Sequence, residues 1–140
     1  MLNSLYFDRA ILVVSKPPGL LSVPGIGPDK QDSVASRAKR LFPASLIVHR
    51  LDCHTSGVMV LAMNKSCQVE LSRQFHDREV TKTYIAMVEG EVCGLEGIIE
   101  QPLRCDITHR PRQIVNLEQG NFEKTAWRVS EIGNERNRLT

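Results

Sequence analysis

Short apolar runs punctuated by proline, glycine and polar stretches recur along the chain, and their lengths suit strands joined by a few helices. Residues 11–14 (Ile-Leu-Val-Val) form a continuous apolar run of strand length. Lys16-Pro-Pro-Gly19 stops it, because two prolines remove backbone donors and a glycine permits a sharp turn. The loop continues to Pro28. Asp32 or Ser33 then caps a helix in which Val34, Ala38, Leu41 and Phe42 recur at helical spacing, with Arg37, Lys39 and Arg40 mostly off that stripe, until Pro43 ends it. Residues 46–48 and 58–63 are two further apolar runs of strand type. Asn64 or Ser66 opens a second helix, with Cys67, Leu71 and Phe75 stepping by four along one face. Residues 83–88 predict a strand with Tyr84, Ala86 and Val88 on one side. Ile98-Ile99 and residues 113–117 predict two more, separated by an exposed loop at 108–112. Thr125, Trp127 and Val129 alternate with Ala126 and Arg128, the pattern of a half-buried strand. Residues 133–138 predict a turn, and Leu139-Thr140 the start of a returning strand.

This order of elements predicts an α+β fold, a mainly antiparallel mixed sheet with flanking helices, in a single domain over residues 1–140. A hairpin that stops as its second strand begins leaves the strand of Trp127 without a neighbour, and an unpaired apolar edge invites aggregation. The expectation is therefore the front part of a longer domain.

Composition narrows the setting. The chain is 41% hydrophobic and 24% charged, as in soluble globular proteins. No apolar stretch approaches the roughly 20 residues of a membrane span, and MLNSLYFDRA lacks the basic-then-apolar order of a signal peptide. A cytoplasmic location is expected. A net charge of +2 is compatible with nucleic acid without arguing for it. Cations do concentrate locally, at Lys30, Arg37, Lys39, Arg40 and Arg50 against Asp29 and Asp32, and again at Arg104, Arg110 and Arg112. Charge alone fits a solvated helix face and a charged loop more readily than a binding site. Cys53, Cys67, Cys93 and Cys105 form no CxxC pair, so reduced thiols are expected rather than a zinc knuckle.

The chemistry gathers in HRLDCHTSG, residues 49–57, between two apolar runs. A metal site would use His49, Cys53 and His54 and take a fourth ligand from His76, His109 or a distant cysteine. A Cys–His hydrolase would use Cys53 with a remote histidine, because adjacent side chains on an extended segment point apart. The remaining reading centres on Asp52. An aspartate near its reference pKa of about 3.9 is ionised at neutral pH and needs no activation to act as nucleophile or base. Arg50 shares its face if the stretch is extended, and Thr55-Ser56-Gly57 makes a turn. On these residues alone, a surface Arg–Asp pair followed by a turn is favoured over a catalytic site.

The wider pattern resembles a known family. HRLDCHTSGVMVLA is similar to the signature of the RluA-type RNA pseudouridine synthases, in which His-Arg-Leu-Asp, two variable residues and Thr-Ser-Gly precede an apolar strand. Val14-Ser-Lys-Pro-Pro-Gly-Leu20 resembles the family's earlier Lys-Pro-x-Gly element, and Lys82-Thr-Tyr84 its Lys-x-Tyr element. LLSVPG, SRQFHDREV and the order of the pieces extend the likeness from about Leu12 to Thr140.

The resemblance implies an isomerase that converts uridine to pseudouridine in a stem-loop of 23S ribosomal RNA or tRNA. It implies no cofactor and no metal, and a monomer when complete. Asp52 would be the catalytic carboxylate, acting on the ribose by attack at C1′ or by removal of the C2′ proton. Tyr84 would lie against the uracil. Arg50 would fill the space left by the flipped nucleotide, and Lys82 would neutralise a phosphate. Arg104, Arg110 and Arg112 would clasp RNA. His49 and Leu51 would pack the motif, and Thr55 and Ser56 would brace its turn. A third family motif, Gly-Arg-x-His-Gln-Leu-Arg-like, would follow the strand that Leu139 begins. It is absent from the sequence, so the resemblance implies a partial catalytic domain without an S4-like domain. The alternative function is an RNA-binding fragment with no turnover.

Overall fold

A computed structural model describes residues 2–90, 92–109, 112–132 and 136–140. The chain divides into two compact units, Met1–Thr81 and Lys82–Thr140.

The first unit is a four-stranded antiparallel sheet with two helices. Its strands are β1 (Asn3–Phe7), β2 (Ile11–Lys16), β3 (Leu46–Ile47) and β4 (Gly57–Ala62), in the order β1-β2-β4-β3. The predicted strand at 11–14 runs two residues further, because β4 offers partners as far as the pair Lys16↔Gly57. Leu12, Val14 and Lys16 share the inward parity of β2 and are buried. Leu12 lies opposite Leu61, and Val14 opposite Met59. With Leu2, Leu20, Val34 and Ala38 these side chains form the core. Each fully buried Leu or Met contributes about 1.5–3 kcal/mol of transfer free energy. The N-terminal strand β1 was not legible in the sequence, since all five of its residues are exposed and show no apolar alternation.

Helix α1 (Val34–Leu41) begins at Ser33, one of the two predicted caps. The Ser33 hydroxyl accepts from the Ser36 backbone N–H at 3.1 Å, and the Ser36 hydroxyl accepts from the Ser33 N–H at 2.9 Å. Both donors would otherwise be unsatisfied at the helix start. Ser33→Ala is expected to cost about 1 kcal/mol and to lower the melting temperature by a few degrees in a thermal scan. An unchanged melting temperature would show that the cap contributes nothing. Val34 and Ala38 are buried as their spacing predicts, but Leu41 is exposed. The backbone leaves the helix at Phe42 (φ −132°, ψ 81°), whose ring packs toward the core and against Phe7 at 5.3 Å.

Helix α2 (Lys65–His76) starts at Asn64, whose side-chain oxygen accepts from the Cys67 N–H at 2.9 Å. Cys67, Leu71 and Phe75 are half-buried along one face, as their spacing predicts. At the helix end Arg73 pairs with Glu70, Asp77 and Glu79, and its guanidinium holds the Glu70 carboxyl at about 2.

The second unit is a five-stranded antiparallel sheet: β5 (Ala86–Glu89), β6 (Glu96–Cys105), β7 (Gln113–Val115), β8 (Asn121–Ile132) and β9 (Arg136–Leu139), ordered β5-β9-β8-β6-β7. Three expectations change here. The strand predicted at 83–88 begins only at Ala86, because β9 supplies partners only from Ala86↔Leu139 to Glu89↔Arg136. The returning strand starts at Arg136, three residues before Leu139, which converts the last part of the predicted turn into ladder; residues 133–135 lie outside the described residues. The strand of Trp127 is therefore not an edge: β8 lies between β9 and β6. Trp127 sits opposite Gly97, and a Cβ on that glycine would lie 2.7 Å from the indole, so the ring occupies the space the glycine leaves.

The α+β class and the antiparallel pairing agree with the sequence. The described strands form two sheets, every described ladder is antiparallel, and the parallel pairing among the described residues is one isolated bridge, Leu21↔Ser33. Among the described residues, no helix is long and apolar enough to cross a membrane.

Candidate active site

The segment between β3 and β4 has no regular secondary structure, yet its backbone is tied to the surrounding chain at several points. Ser22, buried in the preceding loop, donates its hydroxyl to the Leu51 carbonyl at 2.5 Å and accepts the Leu51 N–H at 3.0 Å. The Asp52 carbonyl accepts from the Thr55 N–H at 3.1 Å, closing the turn that Thr55-Ser56-Gly57 predicts. The Cys53 carbonyl accepts from the Gly19 N–H at 2.8 Å, and the Cys53 thiol donates to the Gly19 carbonyl at 3.3 Å. An irregular segment tied at this many points keeps its side-chain directions without a ladder.

Those directions follow from Leu51, which turns inward and packs against the core. Its neighbours Arg50 and Asp52 are thereby exposed. A guanidinium and a carboxylate are presented to solvent from a segment whose intervening residue is anchored on both sides of its peptide.

His49 is already engaged. Its Nε2 accepts the Val60 N–H at 3.1 Å, where β3 has run out of partners for β4, and its ring stacks on Phe75 with centroids 4.3 Å apart. A neutral imidazole that accepts at Nε2 carries its proton on Nδ1. With His49 packed in this way and the Cys53 thiol turned to Gly19, the pairing of His49, Cys53 and His54 as ligands has no geometric support. Among the described residues no group of three His, Cys, Asp or Glu is placed to hold a metal ion.

Lys16, in the Lys-Pro-Pro-Gly stretch that ends β2, was not singled out by its sequence pattern as part of the site. Its side chain is 0% exposed. The ammonium donates to the carbonyls of Pro17 at 3.1 Å, Cys53 at 2.9 Å and Thr55 at 2.7 Å. Burial pushes its pKa down, and the nearby Cys53 and Asp52 oppose that shift. A signal was present: Lys16 continues the inward parity of Leu12 and Val14, and a lysine there must be buried or break the strand.

The remaining predicted residues stand on the second unit. Tyr84 precedes β5 and is 50% exposed. Together with Lys82 it lines an open groove of about 930 Å³, whose other walls include Ile99, Trp127 and Leu139. Arg104 lies on β6 with its guanidinium donating to the Gln119 side chain. Arg112 is exposed; its N–H donates to the His109 carbonyl at 3.0 Å and its carbonyl accepts from the Asp106 N–H at 2.9 Å. Arg110 lies outside the described residues. In the helix patch of the first unit, Arg37 pairs with Asp32 at 2.6 Å and Lys39 donates to the Pro43 carbonyl, while Lys30, Arg40 and Arg50 are exposed.

Comparison with known proteins gives one consistent result. Residues 10–140 match the family model described as RNA pseudouridylate synthase. The chain is 50% identical over 125 residues to the dual-specificity RNA pseudouridine synthase RluA of Yersinia pestis, covering 89% of this chain and 61% of that protein. It is 47% identical over 127 residues to the protein of the same name from Escherichia coli (strain K12), covering 91% and 58%. The solved structure of human RNA Pseudouridylate Synthase Domain Containing 1 is similar with a TM-score of 0.76 at 26% identity, over 99% of this chain and 58% of that one. The chain thus spans about three fifths of the length of these relatives.

Proposed function

This chain belongs to the RNA pseudouridylate synthase family, and from that premise we propose that it isomerises uridine to pseudouridine in a stem-loop of 23S ribosomal RNA or tRNA. The observation that carries the reading is the outward presentation of Asp52 and Arg50 on either side of the anchored Leu51. In the reaction the bond between ribose C1′ and uracil N1 breaks, the base turns, and C5 joins C1′. The C5 proton leaves and N1 gains one. Asp52 acts on the ribose, by attack at C1′ or by removal of the C2′ proton.

Arg50 takes the place of the flipped nucleotide. Flipping costs a few kcal/mol of stacking, and a planar cation restores part of it by stacking while meeting a phosphate. Tyr84 lies against the uracil and assists departure of the C5 proton. Lys82, Arg104, Arg110 and Arg112 meet the RNA backbone. The reading needs neither cofactor nor metal and places the protein in the cytoplasm, as a monomer when complete.

A second reading is RNA binding without turnover, favoured by the span of about three fifths of the relatives' length. A stem-loop labelled with tritium at uridine C5 separates the two. Sustained tritium release by this 140-residue chain is the expected result; binding of the stem-loop with no release would refute turnover and leave the binding reading.

A further inference from the structure

We propose that the groove between the start of β1 and helix α1 holds the backbone of the substrate RNA beyond the flipped nucleotide, with Arg40 meeting a phosphate. The inference rests on the proposed RNA substrate and adds a contact surface on the first unit to it.

The groove has a volume of about 710 Å³, and its walls include Leu2, Gln31, Asp32, Arg37, Arg40 and Leu41. Leu2 precedes Asn3, which pairs with Ser15, next to the pair Lys16↔Gly57. The groove therefore opens at the end of the sheet where the Asp52 turn leads into β4. Two strand spacings, roughly 10 Å, separate β1 from β4 there. Helix α1 is tied to the same segment: the Ala35 N–H donates to the Ser22 carbonyl at 3.1 Å, and the Ser22 hydroxyl donates to the Leu51 carbonyl. An RNA strand with one nucleotide at Asp52 needs only a few more to reach the groove.

Charge and shape suit a nucleic-acid backbone. Helix α1 carries Arg37, Lys39 and Arg40 and no carboxylate. Asp32, in the groove wall, is already taken: Arg37 donates to both of its oxygens, from Nε at 2.8 Å and from Nη2 at 2.6 Å. Arg40 is exposed, and among the described residues no group accepts a hydrogen bond from its guanidinium. Beside it Leu41 is exposed although it satisfies the helical period. A planar cation next to an apolar side chain matches a nucleotide, the first pairing with phosphate and the second meeting the sugar or base. The Gln31 amide nitrogen donates to the carbonyls of Gly25 and Gly27, which leaves its oxygen to accept from a ribose 2′-hydroxyl. An acidic peptide would also satisfy the cations, but the position of the groove beside the Asp52 turn favours RNA.

The test measures the affinity of a fluorescein-labelled stem-loop against salt concentration for the unsubstituted chain, Arg40→Gln and Lys65→Gln. Lys65 is also exposed but lies past Ala62, which pairs with Ile11 at the opposite end of the sheet, so its variant removes the same charge away from the groove. Arg40→Gln is expected to weaken binding and to reduce the slope of log K against log salt by about 0.7–0.9, the share of one phosphate. Lys65→Gln is expected to leave the slope in place. An unchanged slope in Arg40→Gln overturns the proposal, and so does an equal change in Lys65→Gln, which would reflect net charge alone. Loss of polyglutamate binding by Arg40→Gln with stem-loop binding kept would assign the groove to an acidic peptide and overturn it too. Failure of the isomerase reading shows instead as absent tritium release from the unsubstituted chain while the stem-loop still binds, so the two failures are distinguishable.

Discussion

Asp52→Asn is expected to abolish uridine isomerisation, with tritium release falling by at least about a thousandfold, while affinity for the stem-loop is kept or slightly raised. The carboxamide has the shape of the carboxylate but can neither attack C1′ nor take a proton from C2′. A loss of that size corresponds to about 4 kcal/mol of transition-state stabilisation. Folding is expected to be unaffected, because Asp52 is exposed and its backbone, not its side chain, makes the contacts that hold the turn. Affinity does not fall, because removing a negative charge beside a polyanion reduces repulsion. Single-turnover tritium release and a binding titration on the same stem-loop provide the check, and a fully active Asp52→Asn variant would remove the assignment. Cys53→Ser is the companion: its thiol faces Gly19, so activity is retained, whereas a Cys–His hydrolase would lose it.

Leu12→Ala is expected to destabilise the first unit by about 2–5 kcal/mol, a large part of the 5–15 kcal/mol typical of a folded domain. Leu12 is fully buried, lies opposite Leu61 and belongs to the cluster that includes Val34 and Ala38 of α1. The truncation removes three buried carbons and leaves a cavity between sheet and helix. Both described helices belong to the first unit, so the far-ultraviolet helical signal during urea unfolding reports on it directly. The midpoint falls while the slope is unchanged if the denatured state is unaltered. An unchanged midpoint would mean that this cluster is not what holds the sheet and helix together.

Much of the first unit was legible because its signals are local. A run of β-branched and aliphatic residues makes β2 or β4 whatever lies elsewhere, and Ser33 and Asn64 cap helices through bonds that span three residues. Where an outcome depended on a distant partner, the sequence was silent or misleading. The limits of β5 follow from the length of β9, some fifty residues away, so Tyr84 falls before the strand instead of within it. β8 looked like an edge because its neighbours on both sides are recognised only through pairing. Leu41 satisfied the helical period and is nevertheless exposed, since the chain turned Phe42 inward in its place.

The sequence by itself determined the family, through three motifs in order, and singled out Asp52 and Arg50 within one nine-residue stretch. It could do so because the family's motifs are particular side chains at fixed spacing, written residue by residue. Only the tertiary structure decided how those side chains are held. Ser22 reaches Leu51 across twenty-nine positions, and Lys16 reaches Cys53 and Thr55 across thirty-seven and thirty-nine. Hydrogen bonds of that separation exist only once β2 and β4 are paired, and they turn an irregular polar segment into a fixed platform.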